Sequence, residues 1–287
     1  MTEIIPPLGI AHFSCIDVPP LQFVRLAGEI GYAAVGLRLH PAFQGAPFYT
    51  LRPGSAEMRS VKMALQQAGI AVYDIEFVVI DEAFSASELL PVLESAGELG
   101  ARRLSVCGDD ADKGRFAANL TALAELAAEF GMGVDLEIMP WRRIGTLAAA
   151  VAAAEATQRT NVGVLIDALH LSRSGAVPAD LQSVSKELVQ SVQLCDAVAE
   201  RPADNAALVA EARGRRLLPG EGALPLQDLL GVIPSGARLS VEVPNAGLPA
   251  AKHAKALFDA TIALFGRSER ESATAPERAL KRQVPRW

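Results

Sequence analysis

The sequence predicts a single-domain (β/α)8 TIM barrel, and three observations carry that prediction. Short apolar runs of β type alternate with longer helical stretches, about eight times over. Four of the helical stretches stop at a glycine (Gly31, Gly69, Gly100, Gly131) with a β-type run close behind, and glycine just past the last turn is the commonest helix stop. The chain has 287 residues, a normal length for one barrel, and half of them (50%) are hydrophobic while only 5% are aromatic. Such an Ala-, Leu- and Val-rich composition suits helices packed closely on buried parallel strands. A doubly wound open sheet is the structural alternative. The strand count and the lack of a Gly-x-Gly-x-x-Gly after the first strand disfavour it.

The elements follow in order. Gly9 to Cys15 reads as the first strand, and Pro19 to Ile30 as a helix with Leu21, Val24, Leu26 and Ile30 at helical spacing. Ala34 to Leu39 is the second strand. The loop from His40 to Ser55 is rich in Pro and Gly and carries Phe43, Phe48 and Tyr49, which suggests a lid more than a connector. Glu57 to Ala68 is helical, Ile70 to Val79 the third strand, Ala83 to Leu99 helical and Arg103 to Cys107 the fourth strand. Asp112 to Phe130, Thr146 to Thr157 and one or two segments up to Leu188 are helical, separated by strands at Val134 to Ile138 and Val162 to Ile166. Ser191 to Cys195 and Leu239 to Val243 complete the strands, and Leu248 to Phe265 is the closing helix. The barrel is expected over residues 1–265, with a polar tail over 266–287. Trp287 would anchor that tail if it served as an arm on a partner subunit in a homo-oligomer.

Composition excludes several classes. The formal net charge is -6, where phosphate-backbone binders carry a basic excess, so no nucleic-acid partner is expected. Three cysteines, odd in number and far apart, do not make a disulfide framework; a cytoplasmic location is expected. Met1 to Leu8 holds an acid and two prolines, unlike a secretory leader, and no apolar stretch approaches the roughly 20 residues that span a bilayer.

In a barrel of this class the active site lies at the C-terminal ends of the strands. Those ends hold polar residues inside apolar runs: Glu137 in Leu136-Glu137-Ile138, Asp167 in Ile166-Asp167-Ala168, Gln193 in Val192-Gln193-Leu194 and Glu242 in Val241-Glu242-Val243. A carboxylate in such a run is costly unless paired or metal-bound, and three at one mouth would repel one another. One divalent cation resolves both problems. Three carboxylate oxygens and an amide oxygen form a hard set that favours Mn²⁺ or Mg²⁺, with Co²⁺ and Zn²⁺ also admitted. Taken singly, each has a plainer reading: Glu137 paired with Arg142 or Arg143, Asp167 as a helix cap, Gln193 as an ordinary strand glutamine.

At these positions the sequence resembles the xylose isomerase-like TIM-barrel superfamily, whose members include sugar phosphate isomerases/epimerases, with endonuclease IV-like enzymes as relatives. The resemblance spans roughly residues 8 to 265. It rests on Leu136-Glu137, the Asp-x-x-His of Asp167 to His170, Gln193-Leu194-Cys195-Asp196, Pro219-Gly220-Glu221-Gly222 and Val241-Glu242-Val243. It implies that Glu137, Asp167, the residue at 193 and Glu242 bind the metal. It also makes the two glutamates the acid/base pair and has His170 hydrogen-bond a substrate oxygen. Gln193 stands where many members have His. The implied chemistry is proton abstraction beside a polarised carbonyl of a polyhydroxy substrate, through an enediolate. Proton return gives an isomer or epimer; loss of a β-hydroxyl gives dehydration, as in relatives acting on dehydroshikimate or keto-inositol. Hydrolysis of abasic DNA and a non-catalytic binding role rank below both, because only four histidines are present and the charge is wrong for DNA.

Other polar residues are expected near the same mouth: His12 and His40 as substrate contacts, Glu76 facing substrate or supporting the residues that do, and Trp141 as a pocket wall. Of Arg213, Arg215 and Arg216, Arg216 is the candidate for binding substrate. Glu221 is expected to be structural, and His253 to lie at the surface.

Overall fold

The computed structural model describes residues 7–43, 45–245 and 247–274. Eight parallel strands close into a barrel in sequence order. They are β1 (Leu8–Ile10), β2 (Ala34–Arg38), β3 (Ala71–Ile80), β4 (Arg103–Gly108), β5 (Gly133–Glu137), β6 (Val162–Asp167), β7 (Val189–Leu194) and β8 (Arg238–Val241). The seam closes between β1 and β8, with Leu8 opposite Leu239 and Ile10 opposite Val241. The connecting helices are α1 (Pro20–Ile30), α2 (Ala56–Ala68), α3 (Leu90–Glu98), α4 (Lys113–Glu129), α5 (Leu147–Ala156), α6 (Ala168–Arg173), α7 (Asn205–Gly214), α8 (Leu226–Val232) and α9 (Ala250–Thr274).

The expected barrel is therefore present, and the glycine stops have the expected cause. Gly31, Gly69, Gly100 and Gly131 all have positive φ, between 66° and 108°, a conformation that costs an L side chain energy. The core lies between the outer face of the barrel and the helices. On α4, for example, Phe116, Leu120, Leu123, Ala124 and Ala127 are buried, the spacing of a single helix face.

Several boundaries differ from expectation. The first strand ends at Ile10, and His12–Cys15 form a 3-10 turn. The reason is Glu76 on β3. Its carboxylate accepts from the backbone N–H of His12 (2.5 Å) and of Phe13 (3.1 Å), so these groups leave the ladder. The helix expected from Ala83 to Leu99 splits into a 3-10 turn at Ala86–Leu89 and α3, whose first turn takes Pro91, a residue with no N–H to satisfy. α7 and α8 lie where sequence spacing predicts no helix; the Asp204 carboxylate caps α7 by accepting from Ala207 N at 2.8 Å. α9 runs past Phe265 to Thr274, and the rest of the expected tail, with Trp287, lies outside the described residues. Among the described residues no helix is long and apolar enough to cross a membrane.

Period-two alternation also fills the barrel interior with polar groups. Two residues below Glu76 and Glu137 lie Asp74 and Asp135, both buried. Ser105 Oγ donates to Asp74 Oδ2 (2.9 Å) and Ser191 Oγ to Asp135 Oδ2 (2.5 Å). Arg103 pairs with Asp135, and its guanidinium occupies the space that a Cβ on Gly133 would need and comes within 3.0 Å of one on Gly163. This arginine stoppers the barrel at the N-terminal end of its strands.

Candidate active site

At the opposite end, Glu137 is the last residue of β5, Asp167 the last of β6, and Glu242 follows β8. All three carboxyls are buried. Asp167 performs two tasks at once. Its Oδ1 accepts from His170 N at 2.9 Å and so caps α6, while its Oδ2 accepts from Arg216 Nη1 at 2.5 Å. That cap holds His170 over the barrel mouth, with Nε2 3.6 Å from Glu137 Oε1. The Trp141 ring meets the His170 imidazole edge-on, with centroids 5.0 Å apart.

Arg216 ties the site together. It follows α7, and its Nε donates back to Ala212 O at 2.9 Å. Nη1 also donates to Glu242 O at 3.2 Å and approaches Cys195 Sγ at 3.4 Å; Nη2 lies 3.1 Å from Glu242 Oε2 and 3.4 Å from His170 Nε2. One buried guanidinium thus joins Asp167, Glu242 and His170.

This arrangement pulls the acids apart. Burial alone would push Asp167 up, but Arg216, His170 and the cap hold its carboxyl below the usual range. Burial, then the nearby Glu242 and Asp167 charges, raise Glu137 well above it. Burial raises Glu242 to about 7, against the opposing pull of Arg216. Burial lowers His170 to about 4, so the imidazole is neutral near pH 7.

A pocket opens above these groups. Its lining includes Glu137, Glu242, His170, Trp141, Arg216 and Phe43 of the loop after β2.

A family model described as "Xylose isomerase-like TIM barrel" matches residues 24–264. The chain belongs to the xylose isomerase-like TIM-barrel family. A curated relative, the 3-dehydroshikimate dehydratase of Pseudomonas aeruginosa, is 30% identical over 163 residues, which cover 54% of this chain and 25% of that protein. This chain thus matches only about a quarter of that relative's length. Among solved structures, a xylose isomerase-like TIM barrel/4-hydroxyphenylpyruvate dioxygenase fusion protein superposes with a TM-score of 0.77 at 19% identity, over 97% of this chain and 46% of that one. IOLI protein with a bound zinc atom gives a TM-score of 0.74 at 16% identity, over 91% and 99%. L-ribulose 3-epimerase gives 0.69 at 16% identity, over 95% and 99%. These structural likenesses establish the shared fold.

A metal in this xylose isomerase-like site was expected on Glu137, Asp167, Gln193 and Glu242. Two of these four, Glu137 and Asp167, converge with His170. Ligand atoms of Glu137, Asp167 and His170 lie within 4.8 Å of one another, all buried, and this set can hold a divalent ion. Two carboxylates with one imidazole suit Mn²⁺ or Zn²⁺. The imidazole nitrogen seen facing Glu137 is His170 Nε2, 3.6 Å from Oε1, and burial keeps the ring neutral, the form that ligates a metal. Glu242 stands beside the group, drawn to Arg216. Gln193 is buried on β7 in register with Asp167, and neither of the two lines the pocket itself.

The remaining residues divide clearly. Trp141 and Arg216 line the pocket as expected. His12 does not. It stacks between Phe23 (4.6 Å) and Tyr49 (5.3 Å), its Nδ1 accepts from Arg38 N at 3.1 Å, and its Nε2 sits 2.9 Å from Val18 O. Both ring nitrogens are engaged by backbone, so His12 is a structural histidine. His40 is half-buried and also stands outside the lining. Glu76 supports rather than contacts: besides the two backbone donors it pairs with Arg38 at 3.2 Å. His253, expected at the surface, is buried, its Nε2 2.8 Å from Val243 O. Sequence reasoning missed Arg38 as a pocket residue, although its position at the end of β2, opposite Glu76 in register, was a usable signal.

Proposed function

We propose that this chain is an enzyme that moves a proton on the carbon beside a carbonyl of a small polyhydroxy substrate, as an isomerase or epimerase. The observation that carries this reading is that Glu137 and Glu242 line one pocket from different strands. Both carboxyls are buried within reach of the same small molecule, and burial raises the proton affinity of each, as a group that exchanges protons near neutral pH requires. Glu242 takes the proton from the C–H, and the electron pair moves onto the carbonyl oxygen. For an epimer, the electron pair returns and Glu137 protonates the opposite face of the same carbon; for an isomer, the adjacent hydroxyl passes its proton to the former carbonyl oxygen and becomes the new carbonyl while Glu137 protonates the neighbouring carbon. Arg216 keeps Asp167 ionised and holds the Glu242 carboxylate in place, and Trp141 packs against His170 and limits how far it turns. A divalent ion held by Glu137, Asp167 and His170 would supply Lewis-acid polarisation of the carbonyl.

A second reading is carbon–oxygen lyase activity, in which the returned proton goes to a β-hydroxyl that leaves as water. The 30% identity to a dehydratase over half of this chain favours it.

Turnover of a candidate ketose in D₂O separates the two. Recovered isomer carrying deuterium supports the first reading, and a conjugated product absorbing in the ultraviolet the second. Glu242→Gln should reduce either activity by about 10²- to 10⁴-fold, the usual worth of a general base, with an unchanged circular dichroism spectrum. Activity surviving in a folded Glu242→Gln protein would remove Glu242 from the proton path.

A further inference from the structure

The pocket over Glu137 and Glu242 is walled by four arginines: Arg38, Arg142, Arg213 and Arg216. Arg216 is committed to Asp167 and Glu242. The other three form an outer wall whose counter-charges stand behind it. Arg38 pairs with Glu76 at 3.2 Å and lies over the Phe13 ring (4.6 Å), and Arg142 pairs with Asp109 at 2.7 Å. Neither Glu76 nor Asp109 lines the pocket. Arg213 makes no ion pair among the described residues. It stacks on Phe43 at 4.0 Å, and burial together with the Arg142 and Arg38 charges lowers its affinity for its own proton.

The hydrogen-bond inventory points to the same wall. Among the described residues, four buried side-chain polar atoms have no partner: Arg38 Nε, Arg142 Nε, His170 Nδ1 and Gln227 Oε1. Two of the four, Arg38 Nε and Arg142 Nε, belong to this wall. Unpaired buried donors are rare in folded chains, and arginine forks match carboxylate oxygens geometrically.

We infer that the substrate carries a carboxylate, received by Arg213, Arg142 and Arg38 while its carbonyl end reaches Glu137 and Glu242. Arg38 and Arg142 already have counter-ions in Glu76 and Asp109, which leaves the single charge of Arg213 to be met at this wall, and one carboxylate meets it. This rests on the proposed proton-transfer reading but is tested apart from it.

The test is calorimetric binding of a panel: 3-dehydroshikimate, shikimate and quinate, the methyl ester of each, fructose and fructose 6-phosphate. The parent protein is compared with Arg213→Gln and Arg142→Gln. At least one free acid should bind about tenfold or more tighter than its own ester, the worth of one charge-assisted hydrogen bond, and each substitution should cut that preference to below about threefold. Arg213 is exposed, so its variant is expected to fold as the parent does. Failure of every acid to bind, equal affinity for acid and ester, a preference that survives both substitutions, or tighter binding of the phosphate ester would each overturn the inference. Acid binding without deuterium exchange would sink the proton-transfer reading and leave the carboxylate site standing. Exchange on fructose that ignores Arg213→Gln would do the reverse.

Discussion

Arg216 places a fixed positive charge between two buried acids, and its removal would leave Asp167 without its ion pair in a site closed to water. Breaking a buried pair from one side typically costs about 3–5 kcal/mol. Arg216→Met should therefore lower the urea unfolding free energy by that order, whereas Arg215→Met, on an exposed neighbour, should change it by less than about 0.5 kcal/mol. Asp74 offers a test in pH. Burial, with Glu76 nearby, raises it from its ordinary 3.8 to about 8. The folded chain therefore holds that proton over a window in which the unfolded chain has lost it, and stability falls as pH rises from about 4 to about 8. Asp74→Asn retains an acceptor for Ser105 Oγ and should flatten this decline in melting temperature between pH 5 and pH 9. The carboxylates at strand ends were legible in the sequence because a charge inside an apolar run is costly and so stands out. Arg216 was not separable from Arg213 and Arg215 with the same clarity, since burial of one among three near neighbours is decided by the path of α7. His12 was misplaced for a related reason: nothing local shows that Glu76, 64 residues on, draws its backbone off the strand.

Elements were legible where periodicity and stops agreed. Gly69 ends α2 at φ 66°, and a Cβ there would meet nothing, so Gly69→Ala isolates the cost of the left-handed backbone. It should destabilise by about 1–2 kcal/mol in a denaturant titration, and an unchanged midpoint would mean that the turn relaxes to another conformation. The strands carried more information than their ends. Asp74 and Glu76, like Asp135 and Glu137, sit two apart on the same face, so Glu76 and Glu137 each have another acid beneath them. Such a column leaves a period-two signature, yet it reads as an ordinary half-polar strand unless the barrel is assumed first. α7 and α8 were invisible because they are short and bury few residues: Leu208, Glu211 and Ala212 on one, Leu226, Leu229 and Leu230 on the other.

For the molecule as a whole, an ion held at Glu137, Asp167 and His170 would couple to global stability, because a ligand that binds only the folded chain raises its free energy of unfolding. Mn²⁺ at a hundred times its dissociation constant should add about 2.7 kcal/mol. Asp167→Asn should abolish most of that increment in a thermal shift assay; a melting temperature indifferent to Mn²⁺, Mg²⁺, Co²⁺ and Zn²⁺ would count against metal at this mouth. The barrel itself was readable from strand count and glycine stops, but the approach of His170 to Glu137 and Asp167, and of Arg216 to both Asp167 and Glu242, is a long-range outcome of closure. The stopper formed by Arg103 against Asp135, Gly133 and Gly163 bears on traffic. With Arg103 filling that end, the pocket edged by Phe43, Arg142 and Arg213 lies at the opposite end of the strands, over Glu137 and Glu242. Bulk added at that edge stands in the way of leaving as well as of entering, so Phe43→Trp should lower the on-rate and the off-rate of a bound acid together in stopped-flow measurements.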